Sequence, residues 1–409
     1  MTRPTGNARL RAARIAAGYP SQQALADALT EQGAPVGLRQ VRRWESDNPP
    51  LPQPDVRQHL VNLLGRDLDA LGFTAPTGTE PARRAATSVL PPANRGPLRT
   101  PNAQQPATAA TDFLSVTRAH RRLYWSVAPA TLHPAVAAHA TLGGQLLDAT
   151  AGRTRQALAA ALAESWLLAG RIEFFDLREP DRARDTWVRA LQAAGEADEA
   201  LLGSAVLAHM AFIPGWSGQQ TAATERMVAA RTYARRGSAS PEFLAWLDAV
   251  EAECATRCGN VRTALNLIGH GEDVLAAGGE APSPEWMDWF SPVRLAAFKG
   301  NTQLAAGHLP QARETLLSVL RDLPEDADKQ RTVILGDLGA VEAAAGQPEQ
   351  AAAFALSALR LLETHWYATG LERVREVRRA LAPWEHEQYV RDLDDRLYGW
   401  GAIFSSLAC

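Results

Sequence analysis

Leu335–Leu359 reads LGDLGAVEAAAGQPEQAAAFALSAL, with Gly339, Gly346, Ala351 and Ala358 at fixed offsets. Apolar residues recur at helical spacing on both sides of Gly346-Gln347-Pro348, so the stretch reads as two helices joined by a tight turn. The turn has two looser copies upstream: Gly259 with Ala264 and Gly307 with Ala312, each alanine five residues after its glycine, as in Gly346 with Ala351. A small residue stands seven positions before each glycine, at Ala252, Gly300 and Gly339, where the two helices of a hairpin must approach closely. Self-similarity of this kind marks a helical repeat array.

The offsets resemble the tetratricopeptide motif. The copies lie 48 and 39 residues apart, against about 34 for the ideal repeat, so longer loops are expected between hairpins. Weaker hairpins are expected at Gln156–Leu191, around Ala183, and at Glu199–Tyr233, around Gly215 and Gly218. Five or so hairpins side by side would form a right-handed superhelix with a concave face. Gly370–Cys409 reads as a capping helix plus a tail.

Working toward the N-terminus, residues 74–111 change to Pro, Ala, Thr, Arg and Gly with almost no large apolar side chain, the composition of a disordered linker. Residues 1–73 form a separate unit, with apolar helical spacing in Leu10–Ile15, Leu25–Leu29, Leu38–Trp44 and Val56–Leu64. The sequence therefore predicts an all-α chain in three parts: a small five-helix unit (1–73), a flexible linker (74–111) and a helical-hairpin superhelix (112–409).

Charge divides the same way. The chain carries −3 overall, but residues 1–100 hold 13 Arg against 8 Asp and Glu. A basic head on an acidic body fits an electrostatic footprint for nucleic acid confined to the first unit. Only Lys299 and Lys329 are lysines among the 42 basic residues. Three cysteines are too few for a disulfide framework, and neither a signal peptide nor an 18-residue apolar run is present. A cytoplasmic, nucleoid-associated protein with no membrane contact is expected.

The first unit holds Leu10-Arg11-Ala12-Ala13-Arg14, Gly18, Ser21-Gln22-Gln23-Ala24-Leu25-Ala26 and Val36-Gly37-Leu38-Arg39-Gln40-Val41-Arg42-Arg43-Trp44-Glu45. A helix that buries Val36, Val41 and Trp44 while presenting Arg39, Gln40, Arg42 and Arg43 is shaped to enter a DNA groove. These residues resemble the helix-turn-helix family of the lambda and 434 repressors and Cro, also called the xenobiotic-response-element family. The resemblance covers about residues 7–73 and implies a double-stranded operator read by a homodimer. It places Arg39 and Arg43 at base-reading positions, Gln22 with Gln23 at the start of helix 2 against phosphate and an adjacent base, and Arg42 and Gln40 on the backbone. It also implies an internal pair between Arg14 and Glu45. Two departures stand out: Thr30–Pro35 lengthens the turn before the recognition helix, and Leu38 occupies a position often polar, where it could touch a thymine methyl.

Beyond residue 120, two aromatic-rich segments interrupt the helical rhythm, HMAFIPGWSG (209–218) and PEWMDWF (284–290). Tryptophans in a helical array are commonly core. The functional alternative is that Trp216, Trp286, Trp289 and Phe290 line the concave face and grip a peptide, small-molecule or protein effector. No nucleophile elbow, phosphate loop, dinucleotide fingerprint or metal-ligand spacing is present, so neither enzymatic activity nor a metal or cofactor is expected. The leading expectation is a transcriptional regulator similar to the two-part regulators of actinobacteria. The other is a scaffold or adaptor whose array recruits partners and whose first unit only localises it, or is a degenerate helix-turn-helix.

Overall fold

A computed structural model describes residues 6–47, 49–68, 70–73, 105–106 and 108–407. All regular structure among them is helical. The chain forms two compact units, Met1–Pro97 and Leu98–Cys409. Most of the expected linker, residues 74–104, lies outside the described residues, as does the end of the expected tail. Among the described residues no helix is long and apolar enough to cross a membrane.

In the first unit, α1 (Ala8–Ala16), α2 (Gln22–Glu31), α3 (Leu38–Trp44) and α4 (Pro54–Leu64) surround one core. Asn7 and Ser21 cap α1 and α2 by accepting from the Leu10 and Ala24 amides, each cap contributing about 1 kcal/mol. Leu10, Leu25, Leu29, Val41 and Leu60 are fully buried, and Trp44 meets the Phe73 ring edge-on at 6.3 Å.

Four helices are found here, among the described residues, where five were expected. Gly65 ends α4 in the left-handed conformation (φ 62°), and the chain then returns to the core as turns. The Asp67 carboxylate accepts from the Ala70 amide, and Gly72 sits at φ 82° with Asn7 where a side chain would be. Neither feature fits a continuing helix. The turns carry Leu71 and Phe73 into the core, and the buried Asn7 amide donates to the Leu71 and Trp44 carbonyls.

The second unit opens with α5 (Ala109–Leu123) and α6 (Pro129–Asp148). Its first helix thus begins three residues inside the expected linker and buries Ala110. Five hairpins follow: α7 (Gly152–Arg171) with α8 (Pro180–Ala197), α9 (Ala200–Trp216) with α10 (Gln220–Ala234), α11 (Pro241–Arg257) with α12 (Val261–Ala277), α13 (Pro292–Ala305) with α14 (Leu309–Asp322), and α15 (Asp328–Ala344) with α16 (Pro348–Leu362). The end of the chain is two helices, α17 (Ala368–Ala380) and α18 (Gln388–Leu407), in place of one capping helix and a tail. The break between them falls at Pro383 in a short 3-10 turn, Ala382–Trp384; proline cannot continue α17.

The first helices of the hairpins pack on one another in an inner row, and each second helix packs on its own partner and on the next hairpin. Sequence explains the division. Inner α9 (ALLGSAVLAHMAFIPGW) is apolar all round and buried on most faces, whereas outer α8 and α14 bury one stripe and expose charged residues. The turn glycines Gly259, Gly307 and Gly346 have φ of 79°, 73° and 72°, a region a side chain enters only with strain. Ala264, Ala312 and Ala351 are fully buried behind them.

The tight crossings give a test of packing. A methyl on Gly300 would sit 2.6 Å from the buried Leu316 side chain, while one on Gly144 would meet nothing within 4 Å. Gly300→Ala should destabilise the second unit by about 1–3 kcal/mol, and Gly144→Ala should leave it unchanged or slightly stabler. Chemical denaturation followed by circular dichroism checks both. Equal midpoints for the two variants would contradict the close crossing of α13 and α14.

Inner α7 does not stop at Arg171. It widens into a π-helical turn, Ile172–Asp176, closed by the Leu177 amide donating to the Ile172 carbonyl. The turn carries Phe175 and Asp176 across to the far end of the array. There the Trp366 indole donates to the Asp176 carbonyl, Thr369 Oγ1 donates to the Phe175 carbonyl, and Lys329 Nζ meets Asp176 Oδ1 at 2.9 Å. The inner row is thereby closed on itself, and its inner face encloses a cavity.

Candidate nucleic-acid interface and ligand cavity

Helix α3 follows a turn of six residues after α2, stabilised where the Ala34 amide donates to the Leu29 carbonyl and where Ala34 and Val36 enter the core. Val41 and Trp44 are buried beneath α3, while Arg39, Arg42 and Arg43 are exposed and Leu38 and Gln40 are half-buried. Three guanidinium groups thus stand on the outer face of one short helix.

Glu45 closes α3 and is buried, as is Arg14 on α1. Arg14 Nε donates to Glu45 Oε1 at 2.7 Å, and Arg14 Nη1 donates to the Tyr19 carbonyl at 2.8 Å. Gln22 Nε2 donates to Glu45 Oε2 at 2.7 Å, and Arg11 lies 3.6 Å from the same oxygen. Burial alone would raise the Glu45 pKa, but the Arg14 and Gln22 hydrogen bonds and the charges of Arg14 and Arg11 outweigh it and hold the carboxyl below its ordinary 4.5. Its charge is therefore matched inside the unit and opposes no anion at the Arg39–Arg43 face. Gln22 is turned inward onto Glu45, whereas Gln23 is exposed and donates to Asp27.

In the second unit, Trp216, Trp289 and Phe290 line the enclosed cavity and Trp286 does not. Trp286 stands behind the wall, stacked on Trp289 at 5.7 Å and edge-on to Phe243. HMAFIPGWSG does not interrupt the helix: α9 runs to Trp216 with Pro214 inside it. The bond that Pro214 cannot make falls in the last turn, where little helix remains to break. PEWMDWF does lie between helices, after α12 and before α13.

The cavity has a volume of about 930 Å³, part of it open to solvent. Its closed part would hold several waters or a small ligand. Its wall combines aromatic rings with buried charges. Arg171 lies over the Trp289 ring at 4.4 Å and the Tyr124 ring at 5.1 Å, and Lys329 Nζ lies over the Tyr124 ring at 3.9 Å. Arg373 and Asp337, 3.1 Å apart, and Glu253, which pairs with Arg257 behind it at 3.0 Å, also line the cavity.

Burial governs the protonation of these groups. It lifts the Asp337 carboxyl to about 6 despite Arg373. It raises Asp176 and lowers Lys329, each partly restored by the other. His209, also buried, is pushed down to about 3, with Arg171 adding to the shift, so it is a neutral imidazole whose Nδ1–H donates to the Ala205 carbonyl. Arg171, Lys329, Asp176 and His209 were not among the residues expected from sequence.

No protein-family model matches the chain, and no curated protein sequence matches it.

Proposed function

We propose that the chain is a sequence-specific, DNA-binding transcriptional regulator. A repressor-type helix-turn-helix head would read an operator, and a tetratricopeptide-like array would bind an effector that modulates the reading. The observation that carries the proposal is α3: a seven-residue helix anchored by Val41 and Trp44, with the adjoining Glu45 neutralised by Arg14 and with Arg39, Arg42 and Arg43 exposed. Arginine reads guanine O6 and N7 in bidentate fashion, each such pair discriminating by about 1–3 kcal/mol. Gln23 and Gln40 fit phosphate contacts beside them, Leu38 fits a thymine methyl, and Gln22 would reach the backbone only by leaving Glu45.

Electrophoretic mobility shift on the DNA upstream of the chain's own gene provides the test. The Arg39→Ala/Arg43→Ala protein should bind at least about tenfold more weakly than the parent, and parental affinity should fall steeply with salt as counterions are released. Equal retardation by both proteins would reject DNA reading by this helix. The operator is proposed to be a pseudo-palindrome read by two copies of the chain, so retardation should show two-protomer stoichiometry.

A further inference from the structure

The cavity wall supplies more hydrogen-bond donors than it satisfies. Arg171 Nε, Trp216 Nε1 and Trp289 Nε1 are buried without an acceptor among the described residues. Arg171 is only 6% exposed, yet it makes no ion pair within 4.0 Å and no side-chain hydrogen bond among the described residues. Arg294, which also lines the cavity, makes no ion pair among the described residues either and lies over the Phe298 ring. The other cations differ: Lys329 is matched by Asp176, and Arg373 by Asp337, Glu253 and Glu376. A buried guanidinium without an anion is costly. In a cavity, such a group is a receptor for one, and a carboxylate matches its planar fork.

Shape limits the rest of the ligand. Trp216, Trp289 and Phe290 make part of the wall aromatic, with Arg257 over the Trp216 ring at 4.5 Å and Arg171 over the Trp289 ring, and His209 adds no charge. The Asp176–Lys329 pair and the bonds from Thr369 and Trp366 to the π turn join the two ends of the wall.

We propose that the cavity receives a small planar aromatic carboxylic acid, its carboxylate on Arg171 with Arg294 nearby and its ring against the Trp216, Trp289 and Phe290 side chains. The inference rests on reading the array as the sensing part, but binding can be measured without DNA, so the two can fail separately.

The test titrates the full chain with naphthoate, cinnamate and biphenylcarboxylate, each beside its neutral amide and the corresponding aromatic amine, by tryptophan fluorescence and isothermal calorimetry. At least one acid should saturate with quenching and bind about tenfold or more tighter than its amide, a step of about 1.4 kcal/mol, and the amines should bind weakest. Arg171→Leu should abolish the preference for acid over amide while the amide still binds. If that variant loses its helical circular dichroism, Arg294→Ala on the half-buried partner should narrow the same preference several-fold. Failure of every acid to saturate, an amine binding as well as its acid, or an undiminished preference in folded Arg171→Leu would overturn the proposal. A ligand that binds as described without changing DNA affinity would leave it standing and count against coupled regulation instead.

Discussion

Arg14→Ala should destabilise the first unit by about 3–5 kcal/mol, a large share of the stability of a small domain, because it strands a buried carboxylate. Glu45 would keep Gln22 and the half-exposed Arg11 but lose its buried cation. The same change removes the tie to the Tyr19 carbonyl, which holds the segment between α1 and α2. Amide hydrogen exchange in the full chain isolates the effect: peptides from α1 to α3 should lose protection while those from α15 and α16 do not. Unchanged protection would show that the pair contributes nothing.

The pair also sets an acid limit. Because the folded state holds the Glu45 pKa below its unfolded value, this contribution is complete above about pH 4.5 and is lost as pH falls through the lower folded value. Protection of α1 to α3 in the parent should therefore decline below pH 4.5, and that decline should be shallower in Arg14→Ala.

The second large effect is expected where the array closes. Lys329→Met leaves Asp176 in a site where its side chain has no exposure, and should destabilise the second unit by about 3–5 kcal/mol. Adding Asp176→Leu should restore most of the loss, since a buried pair replaced by apolar groups is frequently neutral. Urea unfolding of parent, single and double variants checks this. A double variant no stabler than Lys329→Met would contradict the pairing. The loss should depend on pH with the opposite sign to that at Glu45. Burial raises the Asp176 pKa, so without Lys329 the penalty is small near the unfolded value of 3.8 and grows as pH rises toward the folded one. The single variant should thus lie closer to its parent at pH 5 than at pH 8.

The hairpins are legible in the sequence because their requirements are local. A left-handed turn demands glycine, a close crossing demands a small residue a fixed number of positions away, and Gly259, Gly307 and Gly346 carry both signals. The exposed arginines of α3 are legible for the same reason, through the period that sends Val41 and Trp44 inward. The expected fifth helix has no counterpart among the described residues, where Leu71 and Phe73 enter the core on turns shaped by the Asp67 bond and Gly72. The cavity is where local reading stops. Lys329 and Asp176 are 153 residues apart and Thr369 and Phe175 are 194 apart, and no periodicity announces that a π turn will bring them together. Two signals were nonetheless available: Lys329 is a lysine in a chain that otherwise uses arginine almost everywhere, and Arg171 follows a run that is mostly apolar from Ala157 to Gly170. Trp286 shows the limit of composition, since its segment reaches the wall but its own ring supports Trp289 from behind.

Selection from a random pool of duplex DNA by the full chain tests the central claim most directly. The proposed regulator should enrich a single motif with two-fold symmetry and half-sites about one helical turn apart, and Arg39→Ala/Arg43→Ala should enrich none. A pool that stays random after selection by the parent, or the same motif recovered with the double variant, would contradict it.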